Sequence, residues 1–149
     1  MTMKKLLVAL DATAADNQVI QHAVALARAF AAQLRLIHVA APHPDFVGYG
    51  VGPQYIRDAR AEELKQEHAG LLRWRAELLA EGMAIDIRLV TGSTVETLLA
   101  EAEEFKADLI VMGSHHRHGL AKLLVGSVSE EVLKGHKWPL YIVPVPTGS

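Results

Sequence analysis

The sequence predicts an α/β fold: a single open five-stranded parallel sheet, doubly wound in the order 3-2-1-4-5, with helices on both faces. Two observations predict it. Short continuous apolar runs, Leu6-Leu-Val-Ala-Leu10 and Asp108-Leu-Ile-Val-Met112, have the character of strands buried on both faces. Segments of helical period stand between such runs from end to end. Strands alternating with helices build a parallel sheet through right-handed crossovers.

Each element has its own signal. After the first strand, Val19, Ile20, Ala23, Val24, Leu26, Ala27, Phe30 and Ala31 form a wide apolar helical stripe within residues 16–32. Leu34 to Ala40 reads as the second strand. Residues 41–56, with Pro42, Pro44, Gly48, Gly50, Gly52 and Pro53, are expected to be a long loop, a length that usually carries function or mobility. A long helix is expected from Arg57 to Glu81. Leu64, Leu71, Leu72, Leu78 and Leu79 are assigned to its buried face, Trp74 to the core and Gly82 to its stop. Met83 to Thr91 alternates through Ile85, Ile87 and Leu89, as a strand near a sheet edge does. Ser93-Thr-Val-Glu96 is a capping box that opens a helix running to Phe105. Residues 113–126 form a loop, Ser127 to Lys134 a short helix, and Leu140 to Val145 the last strand, fenced by Pro139 and Pro146. The pattern is one domain over residues 1–149, with 146–149 as a short tail.

Composition narrows the function. The chain has 149 residues, 50% of them hydrophobic, 21% charged and none cysteine. Thiol catalysis, disulfides and cysteine-bound zinc are excluded. A net charge of −2 and a pI near 6.4 argue against nucleic-acid binding and a polybasic membrane patch. The apolar stretch before Asp11 is five residues long, where an export signal needs about 7–15. A cytoplasmic protein without membrane or nucleic-acid partners is the expectation.

In such folds small ligands bind beyond the carboxyl ends of the strands, where neighbouring connections leave in opposite directions. In the order 3-2-1-4-5 that point lies between strands one and four. Strand one runs into Asp11, and strand four into Gly113 and the loop His115-His-Arg-His-Gly119. Gly126-Ser-Val-Ser-Glu130 then opens a helix whose first backbone N–H groups form an anion site. Ser127-x-x-Glu130 is equally a capping box, which helices use with no ligand present.

His115, His116 and His118, with His136 downstream, suggest a metal at first sight. Adjacent histidines in an extended loop point to different sides, and no carboxylate stands in the run, so no transition metal is expected. His38 is expected to be a satisfied core histidine, whereas His22, His43 and His68 have no partner that the sequence identifies. Catalytic signatures are missing: there is no Gly-x-Ser-x-Gly elbow, no Gly-x4-Gly-Lys-(Ser/Thr) loop and no Gly-x-Gly-x-x-Gly after strand one. Strand three ends Val90-Thr-Gly92 without the aspartate that a phosphate-accepting receiver needs. The last strand, with Leu140, Ile142 and Val143, lies at a sheet edge that must be covered or paired. A second copy of the chain and the chain's own helix remain alternatives for that cover.

Three segments, Asp108-Leu-Ile-Val-Met-Gly-Ser114, Gly126-Ser-Val-Ser-Glu-Glu-Val-Leu133 and Pro139-Leu-Tyr-Ile-Val-Pro144, closely resemble the universal stress protein family. Leu7-Val-Ala-Leu-Asp11, Ile37-His-Val39 and Gly92-x-x-Val95-x-x-Leu98 extend the resemblance over nearly the whole chain. The resemblance implies an adenine-nucleotide-binding domain, a homodimer through strand 140–145, induced under stress and acting as a switch or scaffold. It implies ATP or AMP as ligand, with Mg2+ as an option. It assigns Asp11 and Val39 to the adenine and ribose, Met112 and Gly113 to backbone contacts near the ribose, and Gly126, Ser127, Val128 and Ser129 to the phosphates. The family's motif Gly-x2-Gly-x9-Gly-(Ser/Thr) fits Gly113, Gly126 and Ser127, but its second glycine falls on His116. A histidine there crowds the approach or offers an N–H to a phosphate, and Gly119 restores loop flexibility. Gly52 to Arg57 is a candidate flap over the pocket. Three functions stay open: a dimeric nucleotide switch, a dimeric interaction protein whose pocket His116 closes, and a weak ATPase or self-phosphorylating protein with Ser127 or Ser129 as acceptor. No dedicated catalytic residue is expected.

Overall fold

Five parallel strands, β1 (Lys5–Leu10), β2 (Gln33–Ala40), β3 (Ile85–Thr91), β4 (Leu109–Gly113) and β5 (Leu140–Val143), lie in the order β3-β2-β1-β4-β5. Helices α1 (Asp16–Phe30), α2 (Gln54–Ala80), α3 (Thr94–Phe105) and α4 (Val125–Lys134) connect them. The computed structural model describes residues 1–40, 54–114, 125–135 and 137–145. Fold class, strand order and helices about the sheet agree with the sequence reading. Among the described residues no helix is long and apolar enough to cross a membrane.

The central strand explains the layering. β1 pairs in parallel with β2, from Lys5 opposite Gln33 to Leu10 opposite His38, and with β4, from Leu6 opposite Leu109 to Ala9 opposite Met112. Both its edges are used, so its alternating side chains must enter two separate apolar layers. Leu6, Val8 and Leu10 join the layer of α1 and α2, with Val19, Ile20, Ala23, Val24, Leu71 and Leu78. Leu7 joins the layer of α3 and α4, with Ile37, Leu98, Phe105, Ile110, Met112 and Val132. At the opening of β1, one Asp108 carboxylate oxygen accepts from the backbone N–H groups of Lys4 and Lys5, at 2.8 and 3.0 Å. That fixes the stagger of β1 against β4.

Element ends differ in instructive ways. Ala31 takes a left-handed conformation (φ 54°) and stops α1, although its apolar character fits the stripe. Gly82 has φ 83°, the left-handed geometry that its place after α2 requires. α2 begins at Gln54, three residues before the expected start, so Gln54, Tyr55 and Ile56 belong to a helix and not to the loop. Ser93 does cap α3, but its hydroxyl donates to the Glu96 carboxylate (3.2 Å) and makes no capping bond to the backbone. Of the leucines expected on one face of α2, Leu71 and Leu78 are buried and Leu64 partly so, with Trp74 packed against the same core. Leu72 and Leu79, 41% and 48% exposed, face away. The true stripe is 64-71-78 with 74, a spacing that returns every two turns, and each extra leucine sits one step off it.

That distinction is measurable in urea. Leu78→Ala is expected to cost about 2–5 kcal/mol, and Leu79→Ala to stay within about 0.5 kcal/mol. Equal losses would contradict the assignment.

Candidate functional site

The connection from β1 runs towards β2, and the connection from β4 runs towards β5, so the chain departs in opposite directions between β1 and β4. Asp11 directly follows β1, and Gly113 ends β4. Both line one small crevice, together with Ala9, Ala15, Asp16, Val19 and Val145. Val39 and Met112 lie on the other face of the sheet, within the α3–α4 layer, where Met112 is fully buried and Val39 partly so. Gly126, Ser127, Val128 and Ser129 all fall in the opening turns of α4. That helix starts at Val125, two residues before the expected start, so Ser127 is its third residue and not its cap. The N–H groups of Val125 to Val128 are then the four that a helix leaves without internal partners. His116, His115, His118, His136, Gly119 and the loop 41–53 lie outside the described residues.

The turn after β1 is built by a residue that the sequence reading passed over. Asp16, the first residue of α1 and 6% exposed, accepts the backbone N–H of Asp11 on Oδ1 and that of Ala12 on Oδ2, each at 2.9 Å. Ala12 has φ 60°, a left-handed conformation that costs a Cβ-bearing residue about 1–2 kcal/mol. The two charge-assisted bonds hold it there. Burial, opposed by the backbone N–H groups of Asp11, Ala12 and Thr13 and reinforced by the neighbouring Asp11 charge, pushes the Asp16 carboxyl from its ordinary 3.8 up to about 6. The sequence signals only the helix start, an aspartate opening an apolar helical stripe, and not the bonds back to the turn.

Packing occupies the other side of the crevice. A Cβ added at Gly113 would stand 3.3 Å from Val19 Cγ2 and 3.5 Å from both methyls of Val145. Ser114 ties the end of β4 to the segment after β5. Its N–H donates to the Val143 carbonyl (3.0 Å), and its Oγ accepts the N–H of Val145 (3.0 Å). Glycine at 113 therefore serves the closure of α1 and the C-terminal segment over β4. The crevice holds about 10 Å³, room for about one water, so any larger ligand must lie above it.

On its other side Asp16 borders a cavity of about 590 Å³ between α1 and α2, which also takes in Thr13, His38, Glu67 and Trp74. His38 is a core histidine satisfied at one ring nitrogen only, less than the sequence reading expects, since its buried Nε2 makes no hydrogen bond. Its Nδ1–H donates to the Leu10 carbonyl at 2.9 Å, and Nε2 lies 3.3 Å from the buried Glu67 carboxylate. His22 has a partner that the sequence did not reveal, the Tyr141 hydroxyl of β5 at 2.8 Å from Nδ1.

The pH dependence of stability follows from Asp16. Folded protein binds the Asp16 proton more tightly than the unfolded chain, so this group's contribution is greatest below about pH 4 and is lost as pH rises through about 6. Asp16→Asn cannot titrate. Between about pH 4 and pH 7 wild type is expected to lose about 2 kcal/mol relative to that variant in urea unfolding. A difference independent of pH would refute the burial effect.

Comparison with known proteins bears on the whole chain. The pattern of the Universal stress protein family matches residues 2–144. Universal stress protein MJ0531 of Methanocaldococcus jannaschii is 31% identical over 144 residues, covering 96% of this chain and 83% of the relative. A universal stress protein family structure from Burkholderia pseudomallei superposes with a TM-score of 0.71 at 27% identity, covering 96% of this chain and 97% of its own. A universal stress protein solved in complex with cAMP does so with a TM-score of 0.65 at 25% identity, covering 97% and 98%. The doubly wound sheet, the match across 2–144 and these relatives agree: the chain belongs to the universal stress protein family.

Proposed function

We propose that the protein binds an adenine nucleotide, ATP or AMP, over the cleft between β1 and β4 and acts as a dimeric nucleotide-dependent switch in a stress response. The observation that carries this is the meeting of Asp11 and Gly113 in one crevice at the point where the sheet's connections diverge. The cAMP complex of a relative supports the same ligand class. In this reading Asp11 and Val39 border the adenine and ribose, and the backbone at Met112 and Gly113 follows the ribose. The open N–H groups at Gly126, Ser127 and Val128, with Ser129, receive the phosphates, which helix-end dipoles favour. His116 offers its ring N–H to a phosphate, and Mg2+ accompanies ATP.

A second reading has one observation in its favour. Val19 and Val145 already fill the space beside Gly113, and the crevice is about 10 Å³. A pocket so narrowed, with His116 in place of the motif's second glycine, suits an interaction protein that binds no nucleotide.

Denaturing the purified protein and looking for released adenine nucleotide by absorbance and mass, then titrating stripped protein calorimetrically with ATP and AMP, separates the two. Bound or titratable nucleotide is expected, weakened about tenfold or more by Gly126→Val, about 1.4 kcal/mol. No released ligand and no heat with either nucleotide would overturn the switch and favour the interaction protein.

The dimer rests on β5. Among the described residues no strand pairs with its outer edge, and an apolar edge invites pairing with a copy of itself. Sedimentation at twice the chain mass of 16.2 kDa is expected. A species at the single-chain mass would refute it.

A further inference from the structure

Asp16 lies between the two cavities of this region, lining both the crevice of Asp11 and Gly113 and the larger space between α1 and α2. It is buried, costly when ionised, and bonded to the two N–H groups that shape the turn bearing Asp11. A serine or asparagine would open α1 without burying a charge. The carboxylate differs from both in offering two acceptor oxygens, Oδ1 to the Asp11 N–H and Oδ2 to the Ala12 N–H with Thr13 close by, and in being able to lose one of them to a proton.

We propose that Asp16 is a positioning residue for the nucleotide cleft: its carboxylate holds the Asp11–Ala12 turn in the shape that presents Asp11 to the ligand, and protonation releases one N–H and weakens nucleotide binding. This rests on the proposed nucleotide reading. Ala12 supplies the two-state element. At φ 60° it is strained, so the turn relaxes once a bond that holds it is lost. The charged groups around the carboxylate are Asp11 on its own turn, His38 from β2, and Glu63, Glu67, Arg73 and Glu77 from α2 along the shared cavity. From the side of β4 and β5 come Gly113 and Val145, which carry no charge. Among these charges Asp11 is the one that bears on the Asp16 proton, and it favours uptake. Binding linkage is reciprocal, so a nucleotide that prefers the held turn must make Asp16 harder to protonate.

The test is calorimetry with AMP at about pH 5 and about pH 7.5 on wild type, Asp16→Asn and Asp16→Ser, the serine variant guarding against misfolding of the asparagine one. The phosphate of AMP titrates in the same range, so the ratio of wild-type to variant affinity is read at each pH. That ratio is expected to be about fivefold at the higher pH, the worth of about one hydrogen bond, and near one at the lower. In NMR spectra of wild type, the Asp11 and Ala12 amides are expected to titrate with a midpoint near 6 that falls when AMP saturates the protein. They are expected to stay fixed in both variants. A ratio equal at both pH values, or amides that do not move, with AMP still bound, overturns this inference alone. No AMP binding at either pH overturns the nucleotide reading and this gate with it.

Discussion

β1 has strands on both sides and apolar layers on both faces, and the rest of the molecule is arranged around that confinement. Leu6, Leu7 and Val8 have no exposed surface, so any connection leaving β1 must cross a face of the sheet and return in parallel. One pair of connections builds β2 and β3, and the other builds β4 and β5. Where the two directions part, the backbone ends of β1 and β4 stand side by side. The cleft is thus a consequence of the wrapping, and Asp11 and Gly113 occupy it because they are the first residues past the buried runs.

The molecule spends stability at this place. At the β2–β3 side of the sheet, polar groups are paired across elements in ways that tighten the fold. Arg35 of β2 grips Asp86 of β3 through two bonds (2.8 and 3.1 Å), reaches Glu104 of α3 and lies over the Phe105 ring at 4.4 Å. At the β1–α1 turn the balance is reversed: an alanine in left-handed geometry is held by a buried acid whose charge is unfavourable. Strain and a costly charge are thus gathered where the topology opens a cleft.

The layered fold was readable because its signals are local and repeated. Leu6 to Leu10 and Leu109 to Met112 are short apolar runs that form strands buried on both faces, and Gly82 marks a stop with a φ of 83°. Errors arose where neighbouring residues share one character. Leu71 and Leu72, or Leu78 and Leu79, are equally apolar, and only the packing against β3 and the core decides which of each pair turns inward. Capping patterns are informative in part: Ser93 is the cap of α3, whereas Ser127 is not a cap. Ser127 lies inside α4, and Ser93 binds a side chain, because a capping pattern records composition and not the bond that forms. The meeting of Asp11 and Gly113 where the connections diverge was legible through topology. Asp16 was not, since its role depends on a turn that brings it back to the strand it follows. The pairing of His22 with Tyr141 and the link of Ser114 to Val145 are long-range contacts with no local signature.

The claim that joins these features is that one ligand touches the ends of β1 and β4 and the first turn of α4 together. Mapping backbone amide shifts in isotope-labelled protein as AMP is added tests it most directly. The account predicts concerted, saturable changes at Asp11 to Thr13, at Gly113 and Ser114, and at Val125 to Val128. Changes confined to the cavity between α1 and α2, or no changes at saturating AMP, would contradict it.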